Sequence, residues 1–473
     1  MYDAIIVGAG PNGLAAAITL QRRGLRTLLL EGAGTVGGGM RSAELTLPGY
    51  LHDVCSAIHP MALGSPFFAS LPLAAYGLRF VEADYQVAHP MDQEDTVFLE
   101  RDLDKTAQML HADAAAYRKL IRPVAQHWQD LAPDIMGPLR MPKHPLLMAQ
   151  FGLNALQSAE GISKRFQTER AKALWAGMAG HGMQPLSNLT TAAIGMVLAG
   201  VGHAYGWGIP VGGSQAIADA MLAYYKDLGG TLQTEHWLAD LADLPAYKCL
   251  LLDLTPKQLL GIKGLNFSKP YRQQLTNFRL GMGVFKIDWA LSEPIPFKDK
   301  RCQAAATVHL GNTFSEIASN EQETSLGRLV EQPFVLLAQQ SMFDKTRAPA
   351  GKHTGWAYCH VPFGSTVDRT EAIEAQVERF APGFKDIILA RSTMNTRQLE
   401  AYNPNYVGGD INGGLMDITQ LYTRPTRQLN PYRTSDKQVY ICSSSTPPGG
   451  GVHGLCGFHA AETAWKDHFK KLS

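Results

Sequence analysis

The chain has 473 residues and combines 43 basic with 42 acidic side chains, so that 18% of it is charged, against about 25% in a typical soluble domain. Balanced charge offers no basic excess for nucleic acid. A 45% apolar content with a net charge near zero excludes an intrinsically disordered chain.

The charges are missing unevenly. Residues 54–78, 173–218 and 439–461 hold no Asp, Glu, Lys or Arg. None of these blocks reads as a bilayer span, which needs roughly 20 consecutive apolar residues. Pro60, Pro66 and Pro72 break the first, Leu189 to Tyr205 in the second carries Thr, Gly and His, and Ser and Gly fill the third. Asp3 heads the N-terminal apolar run with no basic residue before it, so no signal peptide is expected. The Cys residues form no C-x-x-C pair, and no His/Cys/Asp group has metal-ligand spacing, so neither a disulfide framework nor a metal is expected. These features point to a cytoplasmic chain, with surface contact to a membrane left open and the oligomeric state undetermined.

In chain order, Asp3 to Val7 is a short apolar run suited to a buried parallel strand. Gly8-Ala9-Gly10-Pro11-Asn12-Gly13 follows, then a helix-like Leu14 to Arg23, then a second buried strand from Arg26 to Leu30 ending in Glu31. This is G-x-G-x-x-G between strand and helix, with an acid after the second strand. Gly8 permits the tight turn, Gly10 admits a pyrophosphate to the backbone, and Gly13 allows helix and strand to pack closely. The phosphates sit on free N–H groups at the positive helix end, and Glu31 accepts from ribose hydroxyls. A second unit of this kind is missing: Gly281-Met282-Gly283 has Lys286 where a third glycine belongs. One dinucleotide site is therefore expected.

Residues 36–42 read Val-Gly-Gly-Gly-Met-Arg-Ser. This resembles the second glycine motif of flavoproteins in the amine oxidase and phytoene desaturase superfamily, in which the loop wraps the pyrophosphate and an Arg reaches phosphate or flavin. Three further stretches carry the resemblance: His52-Asp53-Val54-Cys55-Ser56-Ala57-Ile58-His59-Pro60, Pro210-Val211-Gly212-Gly213-Ser214-Gln215, and Asn403 to Gly414. The most specific is Ser443-Ser444-Ser445-Thr446-Pro447-Pro448-Gly449-Gly450-Gly451-Val452-His453-Gly454. Over nearly its whole length the chain resembles phytoene desaturase-related FAD oxidoreductases, and is closest to a branch of unassigned activity in bacteria and mitochondria. The resemblance implies FAD, held by Gly8, Gly10, Pro11, Asn12, Gly13, Glu31, Gly37, Gly38, Gly39, Met40, Arg41, Asp53 and Ser56. It also implies contacts from Ser444, Gly450, Gly451, Val452 and His453, and adenine pairing by the backbone of Leu238. Where many amine oxidases have an acid at the end of the C-terminal strand, this chain has Ser443 to Ser445. A helix from about Val452 to Phe469, ending in Lys466, Lys470 and Lys471, would aim its N-terminus at the flavin.

The expected fold is α/β. A Rossmann-type FAD-binding domain, a parallel sheet with helices on both faces, is built from residues 1–70, 210–265 and 430–473. It is interleaved with a substrate domain of 71–209 and 266–429, a mixed β-sheet with a helical cap over about 103–205. Thr231 to Leu238, Lys248 to Leu254, Tyr271 to Trp289, Gln303 to Leu310, Phe334 to Gln340 and Gln438 to Cys442 read as strands, and Thr255-Pro256 as a helix start. The apolar stripe Leu146, Leu147, Phe151, Leu153, Leu156 reads as cap core rather than a lipid-binding face. Arg424 and Arg427, near Asn412, offer charge to steer an anionic substrate group but read by default as solvated surface. His309 and His360 read as histidines satisfied within the sheet rather than imidazoles lining the substrate cavity.

A flavin beside an uncharged chamber suits hydride transfer from a neutral, apolar, isoprenoid- or lipid-like substrate, with oxygen or a quinone reoxidising the flavin. Loss of the accompanying proton calls for a base or water chain, for which His59, His203, Tyr205, His453 and Asp410 are the candidates. Two alternatives stay open: an amine oxidase-type enzyme with a carboxylate or aromatic cage, and a flavin-stabilised binding or assembly protein with little turnover.

Overall fold

The computed structural model describes residues 1–421 and 423–470. Two sheets organise them. The first is five-stranded, in the order Val439–Ile441, Tyr247–Leu252, Tyr2–Val7, Thr27–Leu30, Thr231–Gln233, and all its pairings are parallel. Successive side chains of a strand point to opposite faces, and here both faces are covered. Ala4 and Ile6 pack with Leu14 and Ile18 of helix Pro11–Gln21 and with Ala460 of helix Leu455–His468. Ile5 and Val7 pack the other way, with Leu259 of helix Pro256–Gly261 and with Tyr271 and Leu275 of helix Lys269–Thr276. This is why the strands read as unbroken apolar runs: a parallel sheet buried on both sides has no polar face to alternate with.

The second sheet is seven-stranded, in the order Ile388–Met394, Gly283–Leu291, His353–Val361, Val335–Ala338, Ala305–Leu310, Tyr85–His89, Val97–Glu100. Its pairings are antiparallel except Ala305–Leu310 with Tyr85–His89. Helix Glu169–Gly180 packs against its last two strands, Tyr85–His89 and Val97–Glu100, and helix Thr191–Ala204 against Val97–Glu100; helices Ala114–Gln126 and Pro145–Ala155 pack on Thr191–Ala204. The fold is thus α/β, a Rossmann-type parallel sheet joined to a mixed sheet with helices. Strands of the first sheet come from residues 2–30, 231–252 and 439–441, with those of the second between them in the chain.

Several local expectations are corrected. Residues 269–276 form a helix rather than the start of a strand, because Ser268 accepts from the Tyr271 N–H and Pro270 suits the first turn; the strand begins at Gly283. The strand from Thr231 stops at Gln233 because Glu235 turns to φ 56°. Ala305 starts its strand after a 3₁₀ turn at Lys300–Ala304. The last helix begins at Leu455, since Gly454 takes a left-handed φ of 68°, and Lys471 lies outside the described residues. The 145–156 stripe is split: Phe151 is buried, whereas Leu146, Leu153 and Leu156 are 88%, 74% and 53% exposed. That helix is apolar around its circumference, so one side packs on the cap and the other stands in solvent. Among the described residues no helix is long and apolar enough to cross a membrane.

Candidate functional site

A cavity of about 750 Å³ runs from the first glycine loop into the mixed-sheet half of the molecule. At the loop end its wall is backbone. Gly8 adopts φ +96°, a Cβ on Gly13 would collide with the Gly8 carbonyl, and a Cβ on Gly38 would stand 3.0 Å from Gly10 Cα. The two glycine loops therefore face each other with no side chain between them, a cradle that fits a dinucleotide pyrophosphate. Glu31 accepts from the Ala9 N–H at 2.7 Å and the Ala33 N–H at 2.9 Å, and pairs with Arg41 Nη2 at 3.2 Å. One donor expected to face a phosphate is engaged: the Gly13 N–H donates to Asp253 Oδ2 at 2.9 Å. Burial pushes the Asp253 carboxyl up to about 7, with Glu31 adding to the rise and the Gly13 hydrogen bond opposing it.

The C-terminal loop closes this end. Ser444, Gly450, Gly451, Val452 and His453 line the cavity. The loop is clamped from behind by Arg424, which is wholly buried rather than solvated. Its guanidinium donates to the Ser444 carbonyl at 2.8 Å, the Gly413 carbonyl at 2.7 Å and the Ser445 carbonyl at 3.3 Å. Arg427 is exposed, as expected.

The far end is a chamber of different character. All three uncharged blocks reach it or its approach, through Ala57 to Met61, through Thr190 to Leu198, and through Pro447 and Pro448. Its aromatic wall is Trp207, Trp356 and Tyr358. Tyr402 and Tyr406 line the cavity beside the second glycine loop: Tyr402 Oη donates to the Gly38 carbonyl at 3.3 Å, and a Cβ on Gly39 would collide with Tyr406 Oη. One cation enters: Lys286, 2% exposed on strand Gly283–Leu291, lines the cavity and is paired with Asp288. Burial raises Asp288 to about 6 against the pull of Lys286. Nearby His52 is driven down to about 3 by burial and by Lys286. The carboxylates lining the cavity, among the described residues, are Glu31 and Asp253, both at the loop end.

Of the expected cofactor residues, Gly8, Gly10, Pro11, Asn12, Glu31, Gly38, Gly39, Arg41, Ser56 and Leu238 also line the cavity. Gly13, Gly37, Met40 and Asp53 stand behind that wall. Gly37 donates to the Ala9 carbonyl at 2.8 Å, and Met40 is fully buried. Asp53 is paired with Arg347 Nη1 at 2.9 Å and accepts from the Ser214 N–H at 2.7 Å. Burial raises its carboxyl, but Arg347 and the hydrogen bonds outweigh that and hold it below the usual range.

The candidate bases separate. His203 faces away from the cavity, bonded to Tyr117 Oη at 2.7 Å and to the Arg101 carbonyl. Tyr205 accepts from Gln129 at 3.1 Å. Asp410 accepts from the Gly281 and Asn412 N–H groups, so it shapes a turn. None of these three lines the cavity. His453 does, yet both ring nitrogens are committed: Nε2 donates to the Gly449 carbonyl at 3.1 Å and Nδ1 accepts from the Leu455 N–H at 3.0 Å. His59 remains. Ser214 Oγ donates to the Ser56 carbonyl at 2.7 Å, so it accepts from His59 Nε2 at 2.8 Å. That leaves His59 Nδ1 with a lone pair and no partner among the described residues. Burial holds its imidazole neutral, down to about 4.

Two expectations about the sheet histidines are also corrected. His360 bonds Glu321 at 2.6 Å but leaves Nε2 unpartnered. His309 bonds His181 at 3.0 Å rather than the sheet, and His181 lines the cavity. Residue patterns missed Lys286, Asp253 and His181. For Lys286 a signal existed: it lies two residues from Asp288 in an otherwise apolar strand, so opposite charges share one buried face. His181 sits in an uncharged block with no periodic mark.

Residues 6–66 match the family described as an NAD(P)-binding Rossmann-like domain. Over 98% of its length the chain is 26% identical to pyridine nucleotide-disulfide oxidoreductase domain-containing protein 2 of Mus musculus, covering 94% of that protein. Among solved structures it resembles an oxidoreductase from Methanosarcina mazei, with a TM-score of 0.63 and 13% identity over 98% of this chain and 99% of that one. It also resembles putrescine oxidase bound to putrescine, with a TM-score of 0.61 and 16% identity over 98% of both chains. These likenesses establish the class of fold: a Rossmann-type dinucleotide domain with a mixed-sheet partner, as found in oxidoreductases.

Proposed function

We propose that this chain is an FAD-dependent oxidoreductase that withdraws a hydride from a neutral, largely apolar substrate. The observation that carries the reading is the single cavity joining a glycine-lined cradle to an aromatic chamber whose wall, among the described residues, holds no carboxylate. Its glycine and C-terminal motifs support the phytoene desaturase-related branch. Bound FAD would supply the two-electron acceptor.

The remaining tasks belong to the chain. The facing glycines admit the pyrophosphate to backbone, and Glu31 offers a carboxylate to ribose hydroxyls. Oxidation at a C–H bond also releases a proton, and His59 Nδ1 is a neutral, uncommitted acceptor at the chamber wall. Lys286 contributes a fixed positive charge in a site shielded from water, where charge acts strongly. Oxygen or a quinone would take the electrons onward.

A second reading, an amine oxidase-type enzyme, is favoured by the chamber's aromatic wall, because Trp and Tyr faces attract ammonium groups. The purified protein decides the first point: it should be yellow and show the flavin absorption bands in the near ultraviolet and blue. A colourless protein that FAD cannot reconstitute would sink the proposal. Bleaching of those bands under anaerobic conditions by apolar alcohols or isoprenoids, against alkylamines, separates the two substrate readings.

A further inference from the structure

His181 caps the C-terminal end of helix Glu169–Gly180 and lines the chamber. Its Nε2 lies 3.0 Å from Nε2 of His309, a wholly buried residue of strand Ala305–Leu310. His89, also wholly buried, is on the neighbouring strand, and its ring centroid is 6.1 Å from that of His309. The Nδ1 atoms of His309 and His89 have no hydrogen-bond partner among the described residues. Both converge on Gly177: a Cβ there would collide with His309 Nδ1 and lie 3.0 Å from His89 Nδ1. The three imidazoles thus form a row from the chamber wall to Asn312, whose carbonyl lies 2.8 Å from His89 Nε2.

The protons of this row can be assigned in sequence. Burial lowers His89 to about 4, His181 to about 3 and His309 well below its ordinary value, so each ring is neutral near pH 7. A neutral imidazole has one N–H and one lone pair. The Asn312 carbonyl only accepts, which puts the His89 proton on Nε2 and its lone pair on Nδ1. Both Nδ1 atoms border Gly177 with no hydrogen bond between them; two lone pairs there would repel in a low-dielectric interior, and a His309 proton on Nδ1 avoids that. His309 Nε2 is then the acceptor, and His181 Nε2–H the donor. What remains on His181 is a lone pair at Nδ1, with no bond to any described residue. The contrast is His453, whose two nitrogens are both taken by backbone.

We propose that His181 Nδ1 is a substrate-recognition acceptor, and that the substrate is an apolar molecule bearing one neutral hydrogen-bond donor, a hydroxyl or N–H group. The inference rests on the oxidoreductase reading and narrows its substrate class from any apolar molecule to one with a polar end. A wall with a fixed acceptor rejects an analogue that lacks the donor, because the buried lone pair is then left unpaired.

The test uses the FAD-loaded full chain, titrated calorimetrically with dodecanol and with dodecyl methyl ether, which has the same apolar body and no donor. The wild type should bind the alcohol about tenfold tighter or more, and His181→Phe should bind the two equally while retaining the ether. An alcohol that binds no tighter than its ether, or a preference that persists in His181→Phe, overturns the proposal. Nitrogen NMR of histidine-labelled wild type provides a readout free of any variant: His181 should carry its proton on Nε2, and a protonated Nδ1 overturns the assignment. Yellow protein with the wrong tautomer defeats this inference alone, whereas colourless protein with the expected tautomer defeats the flavin reading alone.

Discussion

The two ends of the cavity are built on opposite principles. At the loop end the working groups are backbone atoms, exposed by glycines within one short segment and its facing loop. At the chamber end they are side chains delivered from distant elements: Lys286 from one strand, Tyr358 from its neighbour, His181 from a helix end, His59 from the start of a four-residue helix. Backbone chemistry must be written in local spacing, since only glycine at defined intervals exposes it. Side-chain chemistry needs only that packing bring the groups together, and packing leaves no local signature.

The largest expected effect strikes the chamber. Lys286→Met removes the only pull on Asp288 opposing its burial, so the carboxyl is buried without its partner and takes up a proton. The loss of the pair should cost about 3–5 kcal/mol in urea unfolding. Adding Asp288→Leu should restore stability but not turnover, which isolates the functional share of the charge. At the loop end, Gly13→Ala forces a methyl group onto the Gly8 carbonyl. It should cost about 1–3 kcal/mol and release the flavin on gel filtration, an outcome Lys286→Met should not share.

pH should act on the two ends in opposite directions. The chamber imidazoles His59 and His181 are held neutral, at about 4 and about 3. Depressed histidine values mean the unfolded chain binds more protons below about pH 6.5, so their stabilisation is complete above that pH and fades as pH falls toward 4. Each should cost about 2 kcal/mol by pH 5, read as a drop in Tm that His59→Gln reduces. Asp253 has the reverse sign. It is protonated below about 7, and ionises above that value beneath the loop that would receive phosphates. FAD affinity should therefore weaken about tenfold between pH 6 and pH 8, and Asp253→Asn should flatten the profile. The smallest effect belongs to neither end: Leu146→Gln and Leu153→Gln, on the exposed side of their helix, should change stability by less than about 0.5 kcal/mol.

What could be read in advance follows the same division. Gly8, Gly10, Gly13 and Glu31 were legible because one ligand imposes their spacing on contiguous chain. The uncharged blocks were legible as chamber wall because desolvation penalises charge wherever it occurs. Arg424 was not legible: nothing around it distinguishes an arginine drawn inward by backbone carbonyls from one left in water. His181 was not legible either, since it ends a helix and its partner is 128 residues away on a sheet strand. The helix at 269–276 was missed for a different reason: the apolar content of the following strand obscured the Ser-x-Pro start signal.

The parallel sheet has a consequence for how the molecule is made. Strand Val439–Ile441 pairs with Tyr247–Leu252, which pairs with Tyr2–Val7, and Gly457 of the last long helix packs directly against the Asn12 carbonyl. A ribosome delivers the glycine loop hundreds of residues before the strand and helix that complete its surroundings. The loop therefore waits, unfinished, through most of synthesis. Assembly dominated by such distant pairings is slow, and an exposed strand edge invites misassociation in the interval. A bound nucleotide that stabilises only the finished sheet would draw the equilibrium toward completion, so flavin supply during expression should govern the yield of folded protein.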